Sequence, residues 1–222
     1  MRSRVVGLVI FGAALLASAS TGADPSAGTV SGSVTITKDG SNKSDRSNVV
    51  VYVEGVPGDV HAAKSQVIHQ RELTFLPGIL AIPVGTTVEF PNDDKVFHNV
   101  FSVSKGGKFD LGLYKSGTSK SVTFKEAGVI DVYCNIHPQM AAKIKVLDTS
   151  FYAVTGADGT FKIKNVPPGT YPIVAWQAVG GEYRGEVKVA PGGAADVQVA
   201  LVEADAPQRH LRKDGTPYGR YK

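Results

Sequence analysis

Short β-branched segments closed by Gly, Pro or Asp-Gly turns recur from Val30 to Leu201, and this cadence constrains the fold most. Val30 to Thr37 alternates, with Val30, Val34 and Ile36 on one face, before the turn signal Asp39-Gly40. Asn48 to Val53 is a second such run; Leu73-Phe75 and Ile79-Ile82 flank Pro77-Gly78, and Val88-Phe90 follows Gly85. Val96 to Val103, Ser121 to Phe124, Val129 to Cys134 and Lys143 to Leu147 continue it. After Asp158-Gly159 come Phe161 and Ile163, then Tyr171 to Trp176, Glu186 to Val189 and Asp196 to Leu201. Many short strands separated by turns predict an all-β chain of sandwich or barrel type. One helical turn or two are expected over Val60, Ala63 and Val67, with Asp59 as cap.

The ends read differently. Arg2 and Arg4 precede an apolar run, Val5 to Leu16, and the small-residue groups Ala17-Ser18-Ala19 and Thr21-Gly22-Ala23. Residues 1–23 are expected to be a signal peptide cut after Ala19 or Ala23, which sends the chain to the periplasm or outside the cell. An uncleaved membrane anchor is the competing reading. From Glu203 the chain is polar and aperiodic, and 203–222 is expected to be a solvated basic tail. Of the net charge of +4, Arg2 and Arg4 carry two and the five basic and two acidic residues from Asp205 to Lys222 carry three. The body from Asp24 to Ala204 is left at −1, so the charge marks no nucleic-acid-binding face. The tail could dock an acidic partner or an anionic membrane, but nothing else in the sequence supports that contact.

Chemistry concentrates in Val132-Tyr133-Cys134-Asn135-Ile136-His137-Pro138-Gln139-Met140. Cys134 is the sole cysteine, and Met140 is the sole methionine after Met1. Pro138 disfavours helix at His137, so a tight loop is expected to turn thiol, imidazole and thioether toward one point. His98, at the start of an apolar strand after a polar turn, is the candidate fourth ligand. Two imidazoles, a thiolate and a weak thioether make the ligand set of a blue-copper electron-transfer site. A buried structural thiol at Cys134 and zinc held by Cys and His are the competing readings. His61, His69 and His210 are scattered and expected to be solvated; a copper enzyme would need further histidines gathered at a second site.

The Cys-x-x-His-x-x-Met spacing, with the run from Phe90 to Val100, resembles the cupredoxins, specifically their amicyanin and plastocyanin types. The resemblance implies a Greek-key sandwich over 67–148 holding one type 1 copper. It implies His98, Cys134 and His137 as equatorial ligands, Met140 as axial ligand, and Asn99 as a tie between its strand and the ligand loop. It also implies an exported electron carrier exchanging with redox protein partners; a copper carrier without redox exchange is the alternative. Gly106 to Lys120 is longer than a minimal member needs. The run from Phe151 to Tyr171 resembles the second half of carboxypeptidase regulatory-like domains, a transthyretin-like sandwich. Gly32-Ser33-Val34 and Val49 to Val53 resemble its first half, which implies one sandwich made of 28–56 and 149–202 with the copper module inserted. The competing arrangement gives the early strands to the copper module and leaves the second sandwich in tandem.

Overall fold

The computed structural model describes residues 26–58, 60–205 and 210–218. The signal peptide expected at 1–23 and the cap at Asp59 lie outside them. The described residues form strands and turns with no helix, in two sandwiches.

The middle of the chain builds the first. A five-stranded sheet runs in the order Phe109–Tyr114, His98–Ser102, Gly128–Tyr133, Ala141–Leu147, Ile79–Pro83. It faces a three-stranded sheet of Ser119–Thr123, Thr87–Pro91 and Gln66–Val67. Alternation explains the packing. Ile130, Val132 and Cys134 point inward from one face of their strand, joining Ile68, Phe75, Phe90, Phe124 and Ile144 in one buried core.

Strands from both ends of the chain build the second. Gly28–Lys38 lies antiparallel to Thr160–Val166 and parallel to Ala194–Val202. Val50–Val53 lies between Tyr152–Val154 and Gly169–Gln177, which pairs in turn with Gly181–Val189. Both early strands therefore pair with strands that follow the first sandwich in sequence.

Val50–Val53 is buried at every position because both of its faces are covered. Val51 and Val53 enter the second core with Ile173 and Ala175. Val50 and Tyr52, with Val174 and Trp176, pack instead against Ala81 and Leu147 of the first sandwich. The Lys145 ammonium lies 5.3 Å from the Tyr52 ring centroid and 5.4 Å from that of Trp176, a cation–π contact across this junction. Trp176 is thus a junction residue, and Tyr183 packs against the second core.

Two expectations are corrected. No helix forms over 60–67: the stretch is too short to offset helix nucleation. Its backbone is taken up by other partners. The His61 N–H donates to Ser150 Oγ, the Ala63 N–H to Thr86 Oγ1, and Gln66–Val67 pairs with Thr87–Pro91. The tail also departs from a solvated chain. Glu203 pairs with Lys38 and Lys43, and residues 210–218 lie against the loop that follows Gly128–Tyr133.

Candidate metal centre

His98 opens the strand next to Gly128–Tyr133, and Cys134 follows directly from the end of that neighbour. Sheet order therefore brings together two residues far apart in sequence. Cys134 begins a loop closed by its own backbone. The Cys134 N–H donates to the Met140 carbonyl (3.2 Å), and the Met140 N–H to that of His137 (3.1 Å). The first of these bonds prolongs the pairing of Tyr133 with Ala141. The second closes a turn at Pro138-Gln139, which swings His137 back over Cys134.

The result is a compact donor set. One ligand atom from each of His98, Cys134 and His137 lies within 4.8 Å of the others. His137 Nδ1 is 3.0 Å from His98 Nδ1 and 3.6 Å from Cys134 Sγ. Atoms bound to one ion at about 2 Å each lie roughly 3–4 Å apart, so this spacing fits a shared metal. Cys134 and His98 are fully buried, and His137 is partly exposed. Met140 is fully buried in the same core cluster as Cys134.

Electrostatics keep the imidazoles ready to bind. His98 Nε2 lies 2.8 Å from Asp94 Oδ2. A carboxylate there places the ring proton on Nε2 and leaves the Nδ1 lone pair facing the donor set. Burial raises the pKa of Asp94, but hydrogen bonds from the Leu73 N–H, His98 and the Glu72 N–H outweigh it and hold Asp94 below its ordinary value. His137 is pushed below the usual imidazole range, by burial first and then by His98.

The turn before His98 is shaped by buried amides. Asn92 Nδ2 donates to the carbonyls of Val96 (2.8 Å) and Tyr114 (3.2 Å), and its Oδ1 accepts the Asp94 N–H (3.1 Å). Gln70 Nε2 donates to the Phe90 carbonyl and to the Tyr114 hydroxyl. Asn92 and Asp94 belong to the Phe-x-Asn-x-Asp run before His98 that carries part of the resemblance, but their roles at the site, and Gln70 altogether, were not legible.

Asn99 differs from expectation. Its Nδ2 donates to Asp110 Oδ1 (2.7 Å) on the adjacent strand, and its Oδ1 is buried without a partner. It sits opposite Leu113 in the pairing with Phe109–Tyr114, and its side-chain hydrogen bond goes to that strand. The long stretch from Gly106 to Lys120 supplies this partner. His61 is exposed, His69 pairs with Asp93 at the surface, and His210 stacks on Tyr133.

Residues 60–147 match the family model of copper binding proteins of the plastocyanin/azurin family. Residues 137–197 match polysaccharide lyase family 4, domain II. The carboxypeptidase regulatory-like resemblance expected for the second sandwich is not shown; the match there is to polysaccharide lyase family 4, domain II. The two matches overlap over 137–147, where Ala141–Leu147 pairs within the first sandwich. None of the curated proteins matches the chain.

Among solved structures, the chain is similar to a copper-containing nitrite reductase from Thermus scotoductus SA-01, at 30% identity over 37% of this chain and 22% of that one (TM-score 0.36). The chain thus spans about a fifth of that protein's length. A reduced amicyanin variant is 26% identical over 44% of this chain and 98% of that one (TM-score 0.36). A purple cupredoxin from Nitrosopumilus maritimus is 32% identical over 38% of this chain and 100% of that one (TM-score 0.33).

Proposed function

We propose that the protein, whose residues 60–147 match copper binding proteins of the plastocyanin/azurin family, is an exported carrier of single electrons between redox protein partners. One type 1 copper would be held by His98, Cys134 and His137, with the Met140 thioether as a fourth donor. The observation that carries the reading is the convergence of one thiol and two imidazoles from two adjacent strands.

Bound copper would supply the one-electron couple. Thiol and thioether favour Cu(I), while imidazole serves both oxidation states. The scaffold's part is to keep these donors from rearranging between the two. Cys134 and Met140 are locked in the core, and the loop is closed at both ends by backbone hydrogen bonds. His137, the partly exposed member of the donor set, would face the redox partner. We read the protein as a carrier because the cluster of His98, Cys134 and His137 supplies the donors of an electron-transfer site. The pairing of Gly28–Lys38 and Val50–Val53 with strands beyond residue 150 supports a sandwich made of 28–56 and 149–202 and split by the copper module. Its role would be to hold that module at a fixed attitude through the Trp176 junction.

Electron self-exchange in the copper-loaded protein tests the function. Fast exchange with copper retained is expected. Slow exchange with copper handed to an acceptor would overturn electron transfer in favour of copper carriage.

Asp94→Asn tests the site. It removes the charge that fixes the His98 tautomer, and copper affinity should fall by roughly 10–100-fold in competition with a chelator. An unchanged affinity would remove Asp94 from the site.

A further inference from the structure

The segment 210–218 reaches the metal loop from outside at three consecutive residues. His210 stacks on the Tyr133 ring, with centroids 3.9 Å apart and planes 15° from parallel. The Tyr218 hydroxyl donates to the Cys134 carbonyl. The Lys213 N–H donates to Asn135 Oδ1 (3.0 Å). A fourth contact reaches the other ligand stretch: Lys213 Nζ binds Asp110 Oδ2 (2.5 Å), and Asp110 Oδ1 accepts from Asn99, the neighbour of His98.

The segment is also shaped for this. The Arg212 N–H donates to the Thr216 carbonyl and the Gly215 N–H to that of Arg212, closing a turn. The Tyr218 ring meets the His210 ring edge-on at 5.1 Å. A solvated end would have no reason to place aromatic, cationic and hydroxyl groups on successive residues around one cysteine.

We infer that residues 210–218 are a clamp on the metal loop, with His210, Lys213 and Tyr218 as positioning residues that slow metal release. The inference rests on the copper reading above. Release needs the Cys134–Met140 loop to swing away from His98. That motion must break the Tyr218 and Lys213 hydrogen bonds and slide Tyr133 from under His210. The clamp touches the loop backbone and the residues flanking the thiol, so it acts on loop opening and leaves the ligand set unchanged.

The test compares the full chain with a chain ending at Arg209, and with Tyr218→Phe, Lys213→Ala and Lys213→Arg. Copper release to a chelator is followed by the thiolate-to-copper absorption. Loss of the clamp should accelerate release roughly thirtyfold, as removal of two net hydrogen bonds implies, with the starting spectrum retained. Tyr218→Phe and Lys213→Ala should each give part of the effect, and Lys213→Arg should restore full-length behaviour. In the metal-free full chain, the Tyr133 ring current should shift the His210 ring protons upfield, and truncation should speed hydrogen exchange at the Cys134 amide, whose bond to the Met140 carbonyl closes the loop. Equal release rates with and without the clamp would overturn the proposal. If the full chain never develops the absorption, the copper reading fails by itself. The clamp is then judged on the metal-free protein, where an unshifted His210 and unchanged Cys134 exchange overturn it.

Discussion

Cys134→Ser is expected to give a folded protein that stays colourless when loaded with copper(II). Intense visible absorption from a type 1 centre needs a thiolate that donates charge to the metal, and Cys134 is the only cysteine in the chain. A serine hydroxyl in its place is a hard, weak donor at neutral pH, and the softness that selects copper at this site is lost. The paramagnetic spectrum should change with the colour, from narrow to wide copper hyperfine splitting. The substitution is nearly isosteric, so the fold should survive. The residue is fully buried in the core of the first sandwich, and burying a hydroxyl there costs about 1–3 kcal/mol if it finds no partner. Far-ultraviolet circular dichroism of both proteins separates loss of colour from loss of fold. A band that persists in the serine variant would remove Cys134 from the metal, and the electron-carrier reading with it.

The parts of this site that were legible in the sequence are those that chain connectivity alone brings together. Cys134, His137 and Met140 lie on one seven-residue loop, and two of them are rare residue types, so their association required no knowledge of the fold. His98 was legible because it starts an apolar strand; its approach to Cys134 then follows from two strands being neighbours in a sheet. What was not legible depends on long-range docking. Asn92 and Asp94 stand out in the sequence as part of a Phe-x-Asn-x-Asp run, but which atoms they bind is decided only when the turn is folded over His98. The segment from His210 to Tyr218 has no hydrophobic period, and its contacts are single hydrogen bonds and one ring stack, which leave no pattern in sequence. The Asn99 bond to Asp110 was not legible because the strand that supplies Asp110 comes from the long stretch between Gly106 and Lys120. The helical turn near Val60 fails for a related reason. Three apolar residues at helical spacing are a weak signal when Thr86, Ser150 and a strand edge compete for the same backbone.

Gly32→Val is expected to destabilise the second sandwich selectively. Gly32 lies on the central strand Gly28–Lys38, opposite Phe161 on one side and Val197 on the other. A Cβ at Gly32 would stand 1.8 Å from the Val197 carbonyl oxygen and 2.7 Å from the Phe161 ring. The first obstacle is backbone, held by a parallel register that runs from Thr29 to Thr37, so it cannot turn aside as a side-chain tip could. The strands must separate, and the loss should be about 3 kcal/mol, the upper end of the overpacking range. In urea this lowers the unfolding midpoint by roughly 1–3 M. Trp176, the only tryptophan, reports on the junction, and the copper absorption reports on the first sandwich. The split-sandwich proposal requires the Trp176 signal to move to lower urea while the copper band holds its midpoint, because residue 32 would then share a core with residues beyond 149 and none with the ligand loop. Loss of the copper band ahead of the Trp176 change would assign the first strand to the copper module and end that proposal.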